Sequence, residues 1–274
     1  MNVVVIGKNS FLANQLKQLE GCQKWVFVTH QEIKSKPSCL LNADVVINFA
    51  IEPSVFTKNF SEAVSFEIWL VKQIQHYHSV HYIMISTRQV YGDFHYLEES
   101  LKPKPISIYG NNKLKIEDRI LELINPSRIT ILRCSNIFGF EIGRNTFFGS
   151  MLTSLIKNKE ITFNISPKTV KDFIAVEDFA EVIFQIVRLR PAGLFNLGSG
   201  VDSRCGDLAL EILEGFSEGR LISNNNRIEG QFFMDISKIK SLINYPNITD
   251  NSLKFSARNL GLKLKDFYHN DEKC

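Results

Sequence analysis

Asn2-Val3-Val4-Val5-Ile6-Gly7-Lys8-Asn9-Ser10-Phe11-Leu12-Ala13 is the stretch on which the fold turns. The apolar run through Ile6 has no polar alternation, the pattern of a strand buried on both faces of a parallel sheet. Gly7 interrupts it, and Asn-Gln-Leu-Lys-Gln-Leu after Ala13 continues as a helix. Strand, glycine turn and helix in that order form the unit whose helix N-terminus can receive a dinucleotide pyrophosphate. The expected contacts are Gly7, Lys8, Ser10, Phe11 and Leu12. A full fingerprint has three glycines, and this chain has Gly7, Ser10 and Ala13 at those places. Ala13 meets the need for a small residue where helix packs on strand, whereas the Cβ of Ser10 constrains the backbone's approach to phosphate. The same loop also reads as an ordinary strand-to-helix turn.

The pattern then repeats. Trp25-Val-Phe-Val-Thr29 is a second strand, ending in Thr29-His30-Gln31 with no acid to grip ribose hydroxyls. With Lys8 placed to meet a 2′-phosphate, Thr29 and His30 are expected to line NADP(H) in preference to NAD(H). Residues 31–43 are a poorly patterned connection through Pro37. Asp44-Val-Val-Ile-Asn-Phe-Ala50 and the stretch from His81 to Ser86 read as strands, and Phe60 to Gln75 as a helix between them. Strand and helix in alternation imply an α/β fold, a Rossmann-type doubly wound parallel sheet with right-handed crossovers.

Composition sets the bounds. A chain of 274 residues accommodates one large α/β domain, or one carrying a smaller subdomain. Its hydrophobic share of 44% and charged share of 22% are those of a globular protein. No apolar run reaches the ~18 residues of a membrane span. A net charge of +3 is too small and scattered for nucleic acid, though it suits an anionic substrate. The N-terminal strand has no basic region or cleavage signal ahead of it, so no secretory signal is expected. Cys22, Cys39, Cys134, Cys205 and Cys274 read as reduced cytoplasmic thiols. His76, His78 and His81 straddle a helix-to-strand junction and read as solvated connectors, with no metal expected.

The candidate chemistry lies in Ser107-Ile-Tyr109-Gly110-Asn-Asn-Lys113. Among the seven tyrosines, only Tyr109 has a lysine four residues on at the start of a helical pattern. That spacing puts phenol and ammonium on one helical face. A phenol titrates near pH ~10, and a cation beside it lowers that by roughly 1–3 units. The pair is a tunable acid/base, and Thr87 at a neighbouring strand end can hold a substrate oxygen beside it. A helix-start tyrosine packed on a lysine stem would look the same.

The wider chain resembles the extended short-chain dehydrogenase/reductases, or NAD-dependent epimerase/dehydratase family, mostly nucleotide-sugar enzymes. The segments that carry the likeness follow the family's order: Val-Ile-Gly7, residues 44–50, Ile-Ser-Thr-Arg-Gln-Val-Tyr-Gly (85–92), Tyr109 to Lys113, Ile-Leu-Arg-Cys-Ser-Asn-Ile-Phe-Gly (131–139), Lys171 to Asp178, Leu-Phe-Asn-Leu-Gly-Ser-Gly (194–200) and Phe-Phe-Met-Asp-Ile-Ser-Lys (232–238). The resemblance implies Tyr109 as general acid/base, Lys113 on the nicotinamide ribose, Thr87 on the reacting oxygen, and Phe49 and Ala50 lining the cofactor. It also implies Asn136 beside substrate and nicotinamide, with Asn145, Lys171 and Arg227 on a nucleotide diphosphate. Asp172, Asp178 and Asp235 are expected to be structural.

Dehydratases of the family carry Asp-Glu after the threonine; here Arg88 and Gln89 stand there as substrate contacts unable to move protons at neutral pH. That leaves hydride exchange at one sugar carbon, and the Gly7-Lys8 loop with the acid-free end of the second strand favours a 4-ketoreductase, of a type similar to dTDP-4-dehydrorhamnose reductase, acting on a nucleotide-linked 4-keto-6-deoxysugar with NADPH. The alternatives are a 4-epimerase that retains NAD and a non-catalytic NADP-binding sensor or scaffold. The expected organisation is a cofactor-binding core over 1–139 and a substrate lobe over 140–274, with 175–200 returning to the core sheet. Helices are expected at 147–157, 176–189 and 252–267. A homodimer through apolar faces of 63–75 and 112–124 is implied, although packing on the sheet would produce the same pattern.

Overall fold

The computed structural model describes residues 1–77, 79–144 and 146–271, with the backbone alone at 270 and 271. The chain opens with β1 (Val3–Ile6), α1 (Phe11–Leu16), β2 (Val26–Val28), α2 (His30–Ser35) and β3 (Val45–Asn48). It continues through α3 (Phe66–Ile74), β4 (His81–Thr87), β5 (Tyr96–Leu97), α4 (Ile108–Leu123), β6 (Ile129–Cys134) and β7 (Asn136–Phe138). Next come α5 (Phe147–Asn158), β8 (Glu160–Phe163), β9 (Val170–Ala175), α6 (Val176–Leu189) and β10 (Gly193–Leu197). The last elements are β11 (Asp202–Arg204), α7 (Cys205–Phe216), β12 (Arg220–Ser223), β13 (Phe233–Met234), α8 (Ser237–Lys240) and α9 (Asp250–Asp271).

Two compact units result. The first holds Met1–Cys134, Ala180–Leu197 and Asp235–Pro246; the second holds Ser135–Phe179, Gly198–Met234 and Asn247–Cys274. The division thus falls just before β7, and 235–246 joins the first unit alongside 180–197.

Among the described residues the first unit carries a six-stranded parallel sheet in the order β10-β6-β4-β3-β1-β2. Its register sets Val4 between Val26 and Val46. Every residue of β1, β3 and β6 is buried, which is why these segments lack polar alternation. On one face, Val4, Ile6, Val46, Tyr82 and Met84 pack with Phe66, Leu70 and Ile74 of α3 and Ile116 and Ile120 of α4. Each such side chain contributes roughly 1.5–3 kcal/mol of burial.

The helix expected from Phe60 starts at Phe66. Ser65 accepts from the Ile68 N–H, and the Glu52 carboxylate accepts from the Phe66 N–H at 2.8 Å, so the cap outweighs helical spacing further upstream. In the region read as unpatterned, Thr29 and Glu32 form a reciprocal capping box that starts α2.

The apolar faces of α3 and α4 are buried against the sheet, the second of the two explanations open for their pattern. Val64 and Leu121 remain outside, but an ion-pair lattice crosses the surface between the helices: Glu62 with Lys72 at 2.6 Å and Arg119 at 2.9 Å, and Arg119 with Glu122 at 2.7 Å. His81 also departs from its reading as a solvated connector. It is buried, with Nε2 2.7 Å from Thr130 Oγ1, and burial pulls its pKa down to about 4, so the neutral ring belongs to the core. His76 is exposed, and His78 lies outside the described residues.

The second unit has a three-stranded sheet, β11-β9-β7, and the parallel pair β12-β8, with α5, α7 and α9. The helices expected at 147–157 and 252–267 are α5 and α9, each slightly longer; α6 has the expected ends. Among the described residues no helix is long and apolar enough to cross a membrane.

Candidate active site

The strand ends of the first unit set the frame. Gly7 has a φ of +95°, and a Cβ there would meet the Ala50 nitrogen and the Phe49 carbonyl carbon, both at 2.9 Å. Only glycine lets β1 turn this close to the end of β3. Ser10, standing where a second glycine is usual, accepts from the Ala13 N–H at 3.1 Å and so caps α1, whose first turn begins at Phe11 and Leu12. Phe49 is buried, and Ala50 donates its N–H to Asn48 Oδ1 at 3.0 Å.

Glu32, in the first turn of α2 just beyond β2, is the residue that the sequence reading missed. Its carboxylate accepts from Lys8 Nζ at 2.5 Å and from the Thr29 N–H at 2.7 Å, and these contacts, Lys8 first, pull its pKa down to about 2. The signal was the Thr29-x-x-Glu32 box. His30 sets its ring edge-on against Phe66, 5.9 Å between centroids. Lys8 is therefore already paired, and an acid stands one residue beyond the segment read as acid-free. Glu32→Gln is expected to raise the NADPH-to-NADH ratio of kcat/KM by about fivefold, the effect of removing one solvent-screened negative charge near a 2′-phosphate. An unchanged ratio would place the pair away from the ribose.

Thr87 ends β4 and accepts from the Gln89 N–H at 3.2 Å, which leaves its own O–H as a donor. The following 3₁₀ turn, Arg88–Val90, packs on the start of α4. Ser107 caps that helix, accepting from the Gly110 N–H at 3.0 Å, and donates its hydroxyl to Gln89 Oε1 at 2.7 Å. A Cβ on Gly110 would come 2.5 Å from the Gln89 carbonyl oxygen, so the absence of a side chain is what lets turn and helix touch. Tyr109 and Lys113 follow on α4, and Phe56 stacks on the Tyr109 ring at 4.6 Å. Asn112 Nδ2 donates to the Val55 and Lys58 carbonyls at 2.8 and 2.7 Å, tying that loop to the helix.

Lys113 is buried. Its Nζ donates to Glu67 Oε2 at 2.9 Å, and the Tyr82 hydroxyl donates to Glu67 Oε1 at 2.9 Å. Burial alone would pull the ammonium's pKa down; Glu67 and then Tyr109 outweigh it, and the net direction is upward. One turn further, Glu117 accepts from Arg133 Nη2 at 2.7 Å and from the Ser86 hydroxyl. The guanidinium lies over the Tyr91 ring at 4.7 Å, and the Tyr91 hydroxyl donates to Asn196 Oδ1 at 2.7 Å. Helix α4 is thus bonded to the sheet and to α3 through buried charges.

Burial pulls the Arg88 guanidinium down to about 10 against an upward pull from Asp93. Asn136, Lys171 and Arg227 belong to the second unit, at the first residue of β7, on β9 and in an exposed loop after β12; Asn145 lies outside the described residues. Lys171 helps line a cavity of about 560 Å³ with Phe147, Ser150, Thr162, Phe163 and Asn164. Its ammonium stands 5.6 Å from the centre of Phe147, which stacks on Phe163 at 5.5 Å. Asp172 accepts from the backbone N–H groups of Ser199 and Gly200 at 2.8 and 2.9 Å, while burial pushes its pKa up to about 6.

The family whose model matches the chain is described as the NAD dependent epimerase/dehydratase family, and the match covers residues 13–198. A GDP-6-deoxy-D-talose 4-dehydrogenase of Aggregatibacter actinomycetemcomitans is 28% identical over 126 residues, which are 43% of this chain and 42% of that protein. The match therefore spans less than half of that relative. Among solved structures, RMD from Pseudomonas aeruginosa complexed with NADPH is similar with a TM-score of 0.78 at 17% identity, covering 97% of this chain and 99% of that one. A UDP-glucuronic acid 4-epimerase from Bacillus cereus in complex with NAD is similar with a TM-score of 0.77 at 20% identity, covering 98% and 100%. At these identities the two structures show a shared fold.

Proposed function

Because the chain belongs to the NAD dependent epimerase/dehydratase family, we propose that it reduces a nucleotide-linked 4-keto-6-deoxysugar with NADPH. The observation that carries this reading is the pair of residues after Thr87. Eliminating water requires groups that take and return protons, and Arg88 and Gln89 do neither at neutral pH. Gln89 is in addition committed to Ser107. What remains is hydride exchange at one sugar carbon, in keeping with a 4-dehydrogenase among the relatives and an NADPH complex among the similar structures.

The residues present fit a dinucleotide. Gly7 brings backbone, with no side chain, to the end of β3, and α1 begins directly beyond it. When bound, the nicotinamide supplies the hydride. Tyr109 gives its proton to the sugar oxygen, the Thr87 hydroxyl donates a hydrogen bond to the same oxygen, and the Lys113 ammonium steadies the phenolate left behind. The cavity beside Lys171 suits the nucleotide half: the partly exposed Phe147, backed by the buried Phe163, offers an aromatic ring, and Lys171 offers a point charge to a diphosphate. Asn136, Asn145 and Arg227 complete the proposed substrate contacts. The proposal extends to a reducing cytoplasm for the free thiols of Cys22, Cys39, Cys134 and Cys205, and to a homodimer.

Glu32 favours a second reading, a 4-epimerase retaining NAD, because a carboxylate beside Lys8 suits ribose hydroxyls better than a 2′-phosphate. A panel of nucleotide-linked 4-keto-6-deoxysugars separates the readings. The reductase consumes NADPH with at least one of them. Tightly retained NAD⁺ with interconversion of C4 epimers would replace it by the epimerase, and NADPH binding without turnover across the panel would leave a non-catalytic sensor.

A further inference from the structure

Lys113 reaches its ammonium into the interior, with only 5% of its side chain exposed, opposite a Glu67 carboxylate that is 9% exposed. An ammonium so enclosed, with no counter-charge, gives up its proton readily. A neutral amine would no longer stabilise a phenolate on Tyr109. We propose that Glu67 is a positioning residue of the proton-transfer site: it holds the charged Lys113 ammonium where it acts on Tyr109, so that the acid/base is a three-group unit. This rests on the proposed function in taking Tyr109 as the proton donor.

The geometry is specific to Glu67. It comes from the first turn of α3, 46 residues from Lys113 in sequence, and meets Nζ at 2.9 Å. Its second oxygen accepts from the Tyr82 hydroxyl, so the carboxylate is held at both ends. The other groups facing Lys113 are Tyr109 and Glu117 from its own helix and Cys134 from β6. Glu52, from the loop after β3, lines the small cavity beside the pair together with Ala50 and Ser65. Among the described hydrogen bonds of Lys113 Nζ, the one to Glu67 supplies its negative charge.

Removing that charge makes every remaining proton in the cluster easier to lose. The first deprotonation of the Tyr109/Lys113 pair then falls to lower pH whichever group gives up its proton. The test is a carbon-13 NMR titration of tyrosine Cζ and lysine Cε in the full chain without nucleotide, with Tyr109→Phe and Lys113→Arg as assignment controls. Glu67→Gln is expected to lower the first step by at least about one pH unit, and Glu67→Asp to recover most of it. The alkaline limb of kcat/KM should move down with it. A Gln variant that titrates like the wild type and loses only thermal stability overturns the proposal.

Should the Gln variant not fold, the wild type decides. Against burial, Glu67 holds the Lys113 pKa above the ordinary lysine value, so the ammonium is expected to outlast an ordinary one as pH rises, and loss of its proton well below that value contradicts the counter-ion role. Because the titration needs no turnover, a coupled titration in a protein inactive on every sugar removes the proposed function alone. An active enzyme with an uncoupled titration removes this inference alone.

Discussion

Tyr109→Phe is expected to lower kcat by about 10²–10⁴-fold, the usual contribution of a positioned proton donor. The change removes one oxygen and keeps the ring that stacks on Phe56 at 4.6 Å, so the wall of the site persists. Affinity for NADPH should stay within a factor of about three, because the loss is confined to an interaction made in the transition state. Lys113 retains Glu67 as its partner in this variant, so no buried cation is orphaned and the fold is preserved. Steady-state kinetics beside a fluorescence titration of NADPH separate the two effects. A variant within tenfold of wild type would mean that another group delivers the proton.

The second large effect concerns stability. Glu117→Ala is expected to cost about 3–5 kcal/mol, because it leaves the Arg133 guanidinium buried without its counter-ion. Arg133 and Glu117 side chains are 5% and 3% exposed, and Arg133 Nη1 already has no hydrogen-bond partner among the described residues. Burial alone would pull the arginine's pKa down; Glu117 outweighs it. The loss of Glu117 also strands the Ser86 hydroxyl one residue before Thr87. The double variant Glu117→Leu with Arg133→Met should regain most of the loss, since the pair's removal takes away both desolvation costs. Urea unfolding followed by circular dichroism measures both. A single-variant loss below about 1 kcal/mol would show that the pair is solvent-screened in solution.

These two residues also mark what the sequence reveals. Tyr109 and Lys113 could be read because their relation is local, four positions along one helix. The strands β1, β3 and β4 could be read because a sheet covered on both faces leaves unbroken apolar runs. Glu67 and Glu117 were invisible as partners. Each meets its cation only after α3, α4 and β6 have packed, across separations of 46 and 16 residues that follow no local period.

The same holds for Lys8 and Glu32, although the Thr29-x-x-Glu32 box was legible and would have placed both α2 and the acid. The helix α7 was missed for another reason. Leu208, Ala209 and Ile212 carry helical spacing, but no side-chain cap marks its start at Arg204, and turn-rich loops follow it. Phe56 over Tyr109 depends on how the loop after β3 is held by Asn112, again a contact between distant segments.

The proposed reduction requires Tyr109 to pass a proton to a sugar oxygen while the nicotinamide passes a hydride to the carbon bearing it. NADPH deuterated at nicotinamide C4 in turn on each face, incubated with the sugar that the panel selects, tests this in one measurement. Deuterium should appear at C4 of the product sugar from one face of the ring, at one atom per NADPH consumed. NADPH consumption with no label in the sugar, or bound NADPH left unchanged by every sugar, would contradict it.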